Sequence, residues 1–324
     1  MITYQELIAL SHASDVNKKD VWYNFKDLVY LPSGGIKDGA DKYLMTEHAF
    51  KQFWHRLKDS TENKKLVVFS NSVIRHFWEE PEIGNYAFYH HIELERQNNP
   101  ERLEKPFLFR LNDSDCRAVL SDQYGSILNS ELLEALQTTL LQLSPTFRIV
   151  RYELDFDSLT LYTLHKELNV EDGEYGLGLY IYNDEIGRHS LKVATVIKRR
   201  ACDNSCILTN VKTLYHRNRI VDRLNAILPD VSESLRSAEK YITNMHLLRG
   251  VKVEFTKEIE ELTKRFQLSE EETYRIHMGS ENDTSMWGLV NGINYAAKYV
   301  RPDLREQFEV IAGNLVMKAL YNLV

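Results

Sequence analysis

Apolar residues along this chain recur with two different periods, and the change of period divides it into three regions. Phe50, Phe53, Trp54 and Leu57 stand at i, i+3, i+4 and i+7, one face of an amphipathic helix starting near Thr46. The segment before it, LPSGGIKDGADKY (31–43), is glycine-rich but lacks the spacing of a phosphate-cradling loop, and reads as a turn. LVVF (66–69) is a short strand or the start of a buried helix, and an aromatic helical stretch covers 73–95. Its His90 and His91 are adjacent, so a helix points them apart and they do not converge on one metal. From 106 the pattern turns to strands: PFLFRL (106–111) and CRAVLS (116–121) flank the turn NDSD. A helix follows with Leu133, Leu136 and Leu140 on one face and Asn129 or Ser130 as its cap. Further strands are expected at 147–156, 159–164, 176–183, 191–201 and 206–215.

The last hundred residues return to the helical period. Leu235, Ala238, Ile242 and Met245 form one stripe, ending before Gly250, and Phe255, Ile259, Leu262 and Phe266 form another. Ser269 and Glu272 make a capping box, and Pro302 precedes the stripe Leu304, Phe308, Ile311, Leu315. The expected class is α+β, with a central, mostly antiparallel sheet over about 106–215, flanking helices and a helical C-terminal part. The regions are 1–105, 106–224 and 225–324, as separate units or one integrated domain.

Composition places this pattern in a folded protein. With 43% hydrophobic and 27% charged residues over 324 positions, the chain can bury a core. No apolar run reaches the roughly 18 residues of a membrane helix, so no membrane partner is expected. The start, MITYQELIAL, has no basic segment, and three cysteines make no disulfide framework; a cytosolic location is expected. The net charge of −7 conceals a contrast. Residues 151–190 carry three basic and nine acidic side chains, and residues 191–224 carry eight basic and two acidic ones. The two segments either pair with each other or leave a cationic patch for phosphates on an acidic body.

Three groups of residues could carry chemistry. Glu153, Asp155 and Asp157 alternate with apolar neighbours, and one strand face would line them up as magnesium ligands for phosphoryl transfer. A solvated outer face gives the same alternation and is the commoner origin. Cys202 and Cys206 lack the second ligand pair of a zinc site and read as packing thiols. The basic segment offers Lys198, Arg200, Lys212, Arg217, Arg219 and Arg223, interleaved with Tyr180, Tyr182 and Tyr215. Cations beside aromatic platforms suit a single strand, whose bases stack while its backbone is neutralised. No nucleophile elbow, HExxH, Walker or dinucleotide fingerprint is present, which favours a binding protein without a cofactor over an enzyme.

At RAVLSDQYGSILN (117–129) the sequence resembles the phage/plasmid-like family known as domain of unknown function 932. Arg117, Asp122, Tyr124 and Asn129 fit its RAVLSDRY segment and following Asn, with Gln123 in place of Arg. Asn183-Asp184-Glu185-Ile186-Gly187 is similar to the family's NSEVG segment, and Arg200-Ala201-Cys202-Asp203-Asn204 to its R-x-x-C-T-N-G segment. In the latter the arginine is one residue closer and Ser205 replaces glycine. Trp287, Asn291, Ala296 and Ala312-Gly313 fit the helical end, so the similarity runs from about residue 45 to the C-terminus. The resemblance implies a phage or plasmid accessory protein in the host cytosol. It also implies a shared polar cluster of Arg117, Asp122, Asn183, Glu185, Cys202 and Asn204. The expected function is single-stranded nucleic-acid binding in replication or recombination, with a homo-oligomer aligning several patches. The alternatives are a host protein met through the acidic surface and magnesium-dependent phosphoryl transfer.

Overall fold

The computed structural model describes residues 2–38, 40–59, 70–170, 173–199, 204–208 and 211–321. Helix α1 (Tyr4–Asp15) opens with a capping box in which the Thr3 hydroxyl and the Glu6 carboxylate each accept from the other's backbone N–H. Four strands follow: β1 (Lys18–Asn24), β2 (Val29–Tyr30), β3 (Gly35–Asp38) and β4 (Asp41–Met45). Helices α2 (Glu47–Asp59), α3 (Asn71–Glu79) and α4 (Pro81–Asn98) lead to the hairpin β5 (Pro106–Asn112) and β6 (Asp115–Ser121). These strands form one sheet in the order β1-β5-β6-β4-β3-β2, antiparallel except for the β4–β6 pair. The stripe Phe50, Phe53, Trp54 and Leu57 is buried against the sheet, among Phe25, Tyr30, Phe88, Phe107 and Phe109.

Two expectations change here. The glycine-rich 31–43 segment is more than a turn, since it carries β3 and the start of β4, with the bend at Gly34 (φ 80°). The aromatic stretch 73–95 is two helices, divided where Pro81 cannot donate to the preceding turn. LVVF (66–69) lies outside the described residues.

Helix α5 (Asn129–Leu143) connects to the second sheet. Asn129 and Ser130 are its first residues rather than its cap; the backbone N–H of Leu128 is instead taken by the Glu131 carboxylate at 2.8 Å. The second sheet contains β7 (Arg148–Leu154), β8 (Ser158–Leu164), β9 (Lys166–Val170), β10 (Gly173–Asp184), β11 (Leu191–Arg199), β12 (Asn204–Ile207) and β13 (Lys212–Leu214). Its order is β12-β11-β10-β8-β7, with β13 on β11 and β9 on β10, and every pair is antiparallel. The strands expected over 106–215 are thus shared between two sheets, because β5 and β6 pair with N-terminal strands. On its edge away from β11 the long β10 serves two partners, β9 and β8, which meet at His165. Opposite that junction Gly178 admits the Thr163 carbonyl, where a Cβ would sit 1.7 Å away.

The helical end comprises α6 (Ile220–Thr243), α7 (Phe255–Phe266), α8 (Glu270–Gly279), α9 (Met286–Ala296) and α10 (Pro302–Tyr321). A 3₁₀ turn, Met245–Gly250, extends the stripe of α6. The capping box at Ser269 is formed. Leu224, Leu235, Ala238, Ile242, Phe308 and Val316 join Leu161, Leu179, Ile181 and Val193 of the second sheet in the largest core. The opposite sheet face carries a smaller cluster of Tyr162, Tyr180, Ala194, Val196 and Ile207. Among the described residues no helix is long and apolar enough to cross a membrane.

Candidate functional site

Glu185 and Arg110 organise a buried polar junction between the two sheets. Arg110 lies mid-strand in β5, fully buried, and donates from Nε and NH2 to the two oxygens of Asp20 at 2.8 and 2.7 Å. Its NH1 donates to the Glu185 carbonyl at 2.6 Å. The Glu185 carboxylate accepts from Lys18 Nζ at 2.8 Å, from the Asn129 backbone N–H at 2.8 Å and from Arg117 NH2 at 3.5 Å. Lys18 also meets Asp15 at 2.6 Å, and Arg117 meets Asp157 at 3.0 Å. Asn183 donates to Asn129 Oδ1 at 2.8 Å, and the Tyr124 hydroxyl donates to the Glu185 carbonyl at 3.1 Å. Gly187 (φ 76°) turns the chain so that His48 and Gln52 of α2 both reach the Ile186 carbonyl at 3.0 Å.

The electrostatics follow from burial. Loss of water raises the Glu185 carboxyl above its ordinary range, opposed chiefly by Lys18. For Arg110 burial alone would lower the guanidinium, but Asp20 and Glu185 hold it above its ordinary value, so it stays charged. These paired charges reach from α1 and β1 through β5 and β6 to the end of β10, and tie the two sheets together.

Of the expected polar cluster, the structure brings together Arg117, Asn183 and Glu185. Asp122 does not join them: beyond the end of β6 it turns outward to Lys105 at 3.5 Å. Asn204 pairs with Arg199, at the far end of β11 from the 184–190 turn. The strand between spans roughly 25–30 Å at about 3.3 Å per residue. Cys202 lies outside the described residues. Sequence reading passed over Arg110, Lys18 and Asp20, although a lone arginine inside the apolar run PFLFRL is a signal for a buried ion pair.

The acidic row also comes apart. Strand β7 ends at Leu154, so only Glu153 stands on it. Asp155 caps the following turn by accepting from the Phe156 N–H at 2.8 Å, and Asp157 pairs with Arg117. The three share no face, because the tight connection to β8 bends the chain after Leu154.

The basic segment divides similarly. Lys198 sits at the β12 end of β11, whereas Lys212 and the arginines lie toward its other end. Lys212 is paired with Asp230 at 2.9 Å. Tyr180 is only 2% exposed and presents no ring to solvent, because α10 covers that face; Tyr182 is half-buried with Lys192 over it at 5.5 Å. Arg200 lies outside the described residues.

One stretch remains open. Tyr215 is 63% exposed, and Arg217 and Arg219 are exposed with no ion pair among the described residues. Arg223 donates to the Tyr215 carbonyl at 2.9 Å, and Arg219, with φ 60°, precedes α6. This loop rests on the 121–126 segment. Asn218 N–H donates to the Gln123 carbonyl at 3.0 Å, and the His216 and Tyr124 rings stack 5.1 Å apart. Gly125 lets the Arg217 carbonyl approach, since a Cβ there would lie 1.9 Å from it. No family model, curated protein or solved structure matches the chain.

Proposed function

We propose that the chain binds single-stranded nucleic acid through the loop 215–223, as an accessory protein of a phage or plasmid would in replication or recombination. The observation that supports this reading is the exposed Tyr215 ring flanked by Arg217 and Arg219 on a backbone braced by Tyr124, Gly125 and His216. An exposed ring costs nothing to stack upon, and cations without acidic partners release counterions when a phosphate approaches. Bracing reduces the loss of freedom on binding.

Fluorescence anisotropy with a labelled single-stranded 40-mer tests it. Three neutralised phosphates give a slope of log affinity against log salt of about −2. Arg217→Glu with Arg219→Glu should weaken binding and flatten the slope. Tyr215→Ala should weaken binding by the ~1–3 kcal/mol of one stacked base and leave the slope unchanged. Failure of the unaltered protein to bind at low salt, or equal binding by the charge-reversed variant, ends this reading.

A further inference from the structure

A cleft of about 230 Å³ opens on the sheet face opposite the main core, between β7, β8 and β10 and the start of α10. Behind its lining residues Tyr162 and Arg151 lies the buried Glu309, which accepts from the Tyr162 hydroxyl and from Arg151 NH1, the latter at 3.3 Å. Arg151 lies over the Tyr162 ring with its guanidinium carbon 4.0 Å from the centroid. Arg305 enters from α10, and Lys298 lines the rim. The Nε–H groups of both arginines are buried and have no hydrogen-bond acceptor among the described residues. The nearest carboxylate oxygens stand off, with Glu153 at 3.5 Å from Arg151 Nε and Glu309 at 3.6 Å from Arg305 Nε. Glu306 is engaged by Lys192 at 2.5 Å on the Tyr182 side, and Glu153 points largely to solvent.

We propose that this cleft binds a phosphate group, held by Arg151 and Arg305 with Lys298 at its rim. Two buried donors without acceptors are costly to leave unanswered, and a planar guanidinium matches a tetrahedral oxyanion through paired N–H groups. Burial raises the Glu309 carboxyl, against the pull of Arg151. The volume is below the ~300–1,000 Å³ of sites for drug-sized ligands, which suits a phosphate head with little attached to it. The proposal does not depend on strand binding at the 215–223 loop.

Titration calorimetry of the full chain at fixed ionic strength provides the test. The probes are inorganic phosphate, a nucleoside 5′-monophosphate, and one oligonucleotide with and without a 5′-phosphate. Saturable binding of at least one phosphorylated probe is expected, weakened tenfold or more in Arg305→Gln and unchanged when Arg217 and Arg219 are reversed. The probe bound most tightly identifies whether the source is the free ion, a small phosphomonoester or a strand end. Arg305 is partly exposed, and thermal unfolding of Arg305→Gln checks that the fold is kept; Lys298→Ala, expected to weaken binding severalfold, supplies a second variant. The proposal is overturned if no phosphorylated probe saturates, or if folded Arg305→Gln binds as well as the unaltered chain.

Discussion

Replacing Glu185 by alanine should be among the most damaging single changes in this protein. The side chain is fully buried, and its loss leaves Lys18 with Asp15 alone, Arg117 with Asp157 alone, and the Asn129 N–H without an acceptor. Removing one partner from a buried ion network costs about 3–5 kcal/mol. At about 2.1 cal/mol/K per residue, the 324 residues unfold with an entropy near 0.7 kcal/mol/K, so the midpoint should fall by roughly 4–7 °C. Glu185→Gln keeps the volume and one acceptor and should lose less. Because burial raises the folded carboxyl, the stability it contributes is greatest at low pH and declines as pH rises through its folded value. The gap between glutamate and glutamine should therefore narrow toward neutral pH. The double variant Lys18→Met/Glu185→Leu removes both charges and should be less destabilised than Glu185→Leu alone. Differential scanning calorimetry measures each quantity. A fall of less than 2 °C for Glu185→Ala, with an additive double variant, would refute the view that this network joins the sheets.

Gly125→Ala should destabilise by about 1–3 kcal/mol through overpacking against the Arg217 carbonyl, and should weaken strand binding with every cation intact, as urea titration and anisotropy will show. Burial holds His165 and His216 down at about 4, so between pH 6.5 and 4 the unfolded chain takes up protons that the folded chain refuses. Stability should fall with decreasing pH there, by about 1.4 kcal/mol per unit for each histidine at most, while the raised Glu185 and Glu309 carboxyls work in the opposite direction. His216→Phe, which keeps the ring stacked on Tyr124, should remove one histidine's share of the slope; an unchanged slope counts against the assignment. Ser269→Ala removes the acceptor for the Glu272 N–H and should cost about 1 kcal/mol by thermal denaturation.

What the sequence made legible was whatever local periodicity controls. The α2 stripe, the β5–β6 hairpin and strands β7, β8, β10 and β11 were readable because each repeats its apolar positions over its own length, whereas β9 was missed and the one strand expected over 206–215 is the two short strands β12 and β13. The first four strands were not. KKDVWYN and IKDGADKYLM are half polar; β1 and β4 take their strand state from β5 and β6, whose paired residues lie about 70–95 positions further on, and β3 and β2 extend the sheet from β4. The same limit acted at the candidate sites. Arg117, Asn183 and Glu185 could be picked from short segments, but their partners Lys18, Asp20 and Arg110 come from distant strands. Tyr180 and Tyr182 share a face and looked equivalent; the position of α10 buries one and leaves the other half open, and a single strand carries no record of that.

The junction has a consequence for synthesis on the ribosome. All six strands of the first sheet have been synthesised once Ser121 is made, and hydrogen bonding alone could pair them after they emerge. Glu185 and the carbonyl that receives Arg110 arrive 64 residues later. At ~5–20 residues per second that is a delay of roughly 3–13 s. During it, Arg117 lacks both Asp157 and Glu185 at first, and Arg110 has only the partly exposed Asp20. The early sheet therefore holds buried cations still awaiting their counter-charges. Its final closure is timed by the arrival of a turn from the other half of the chain.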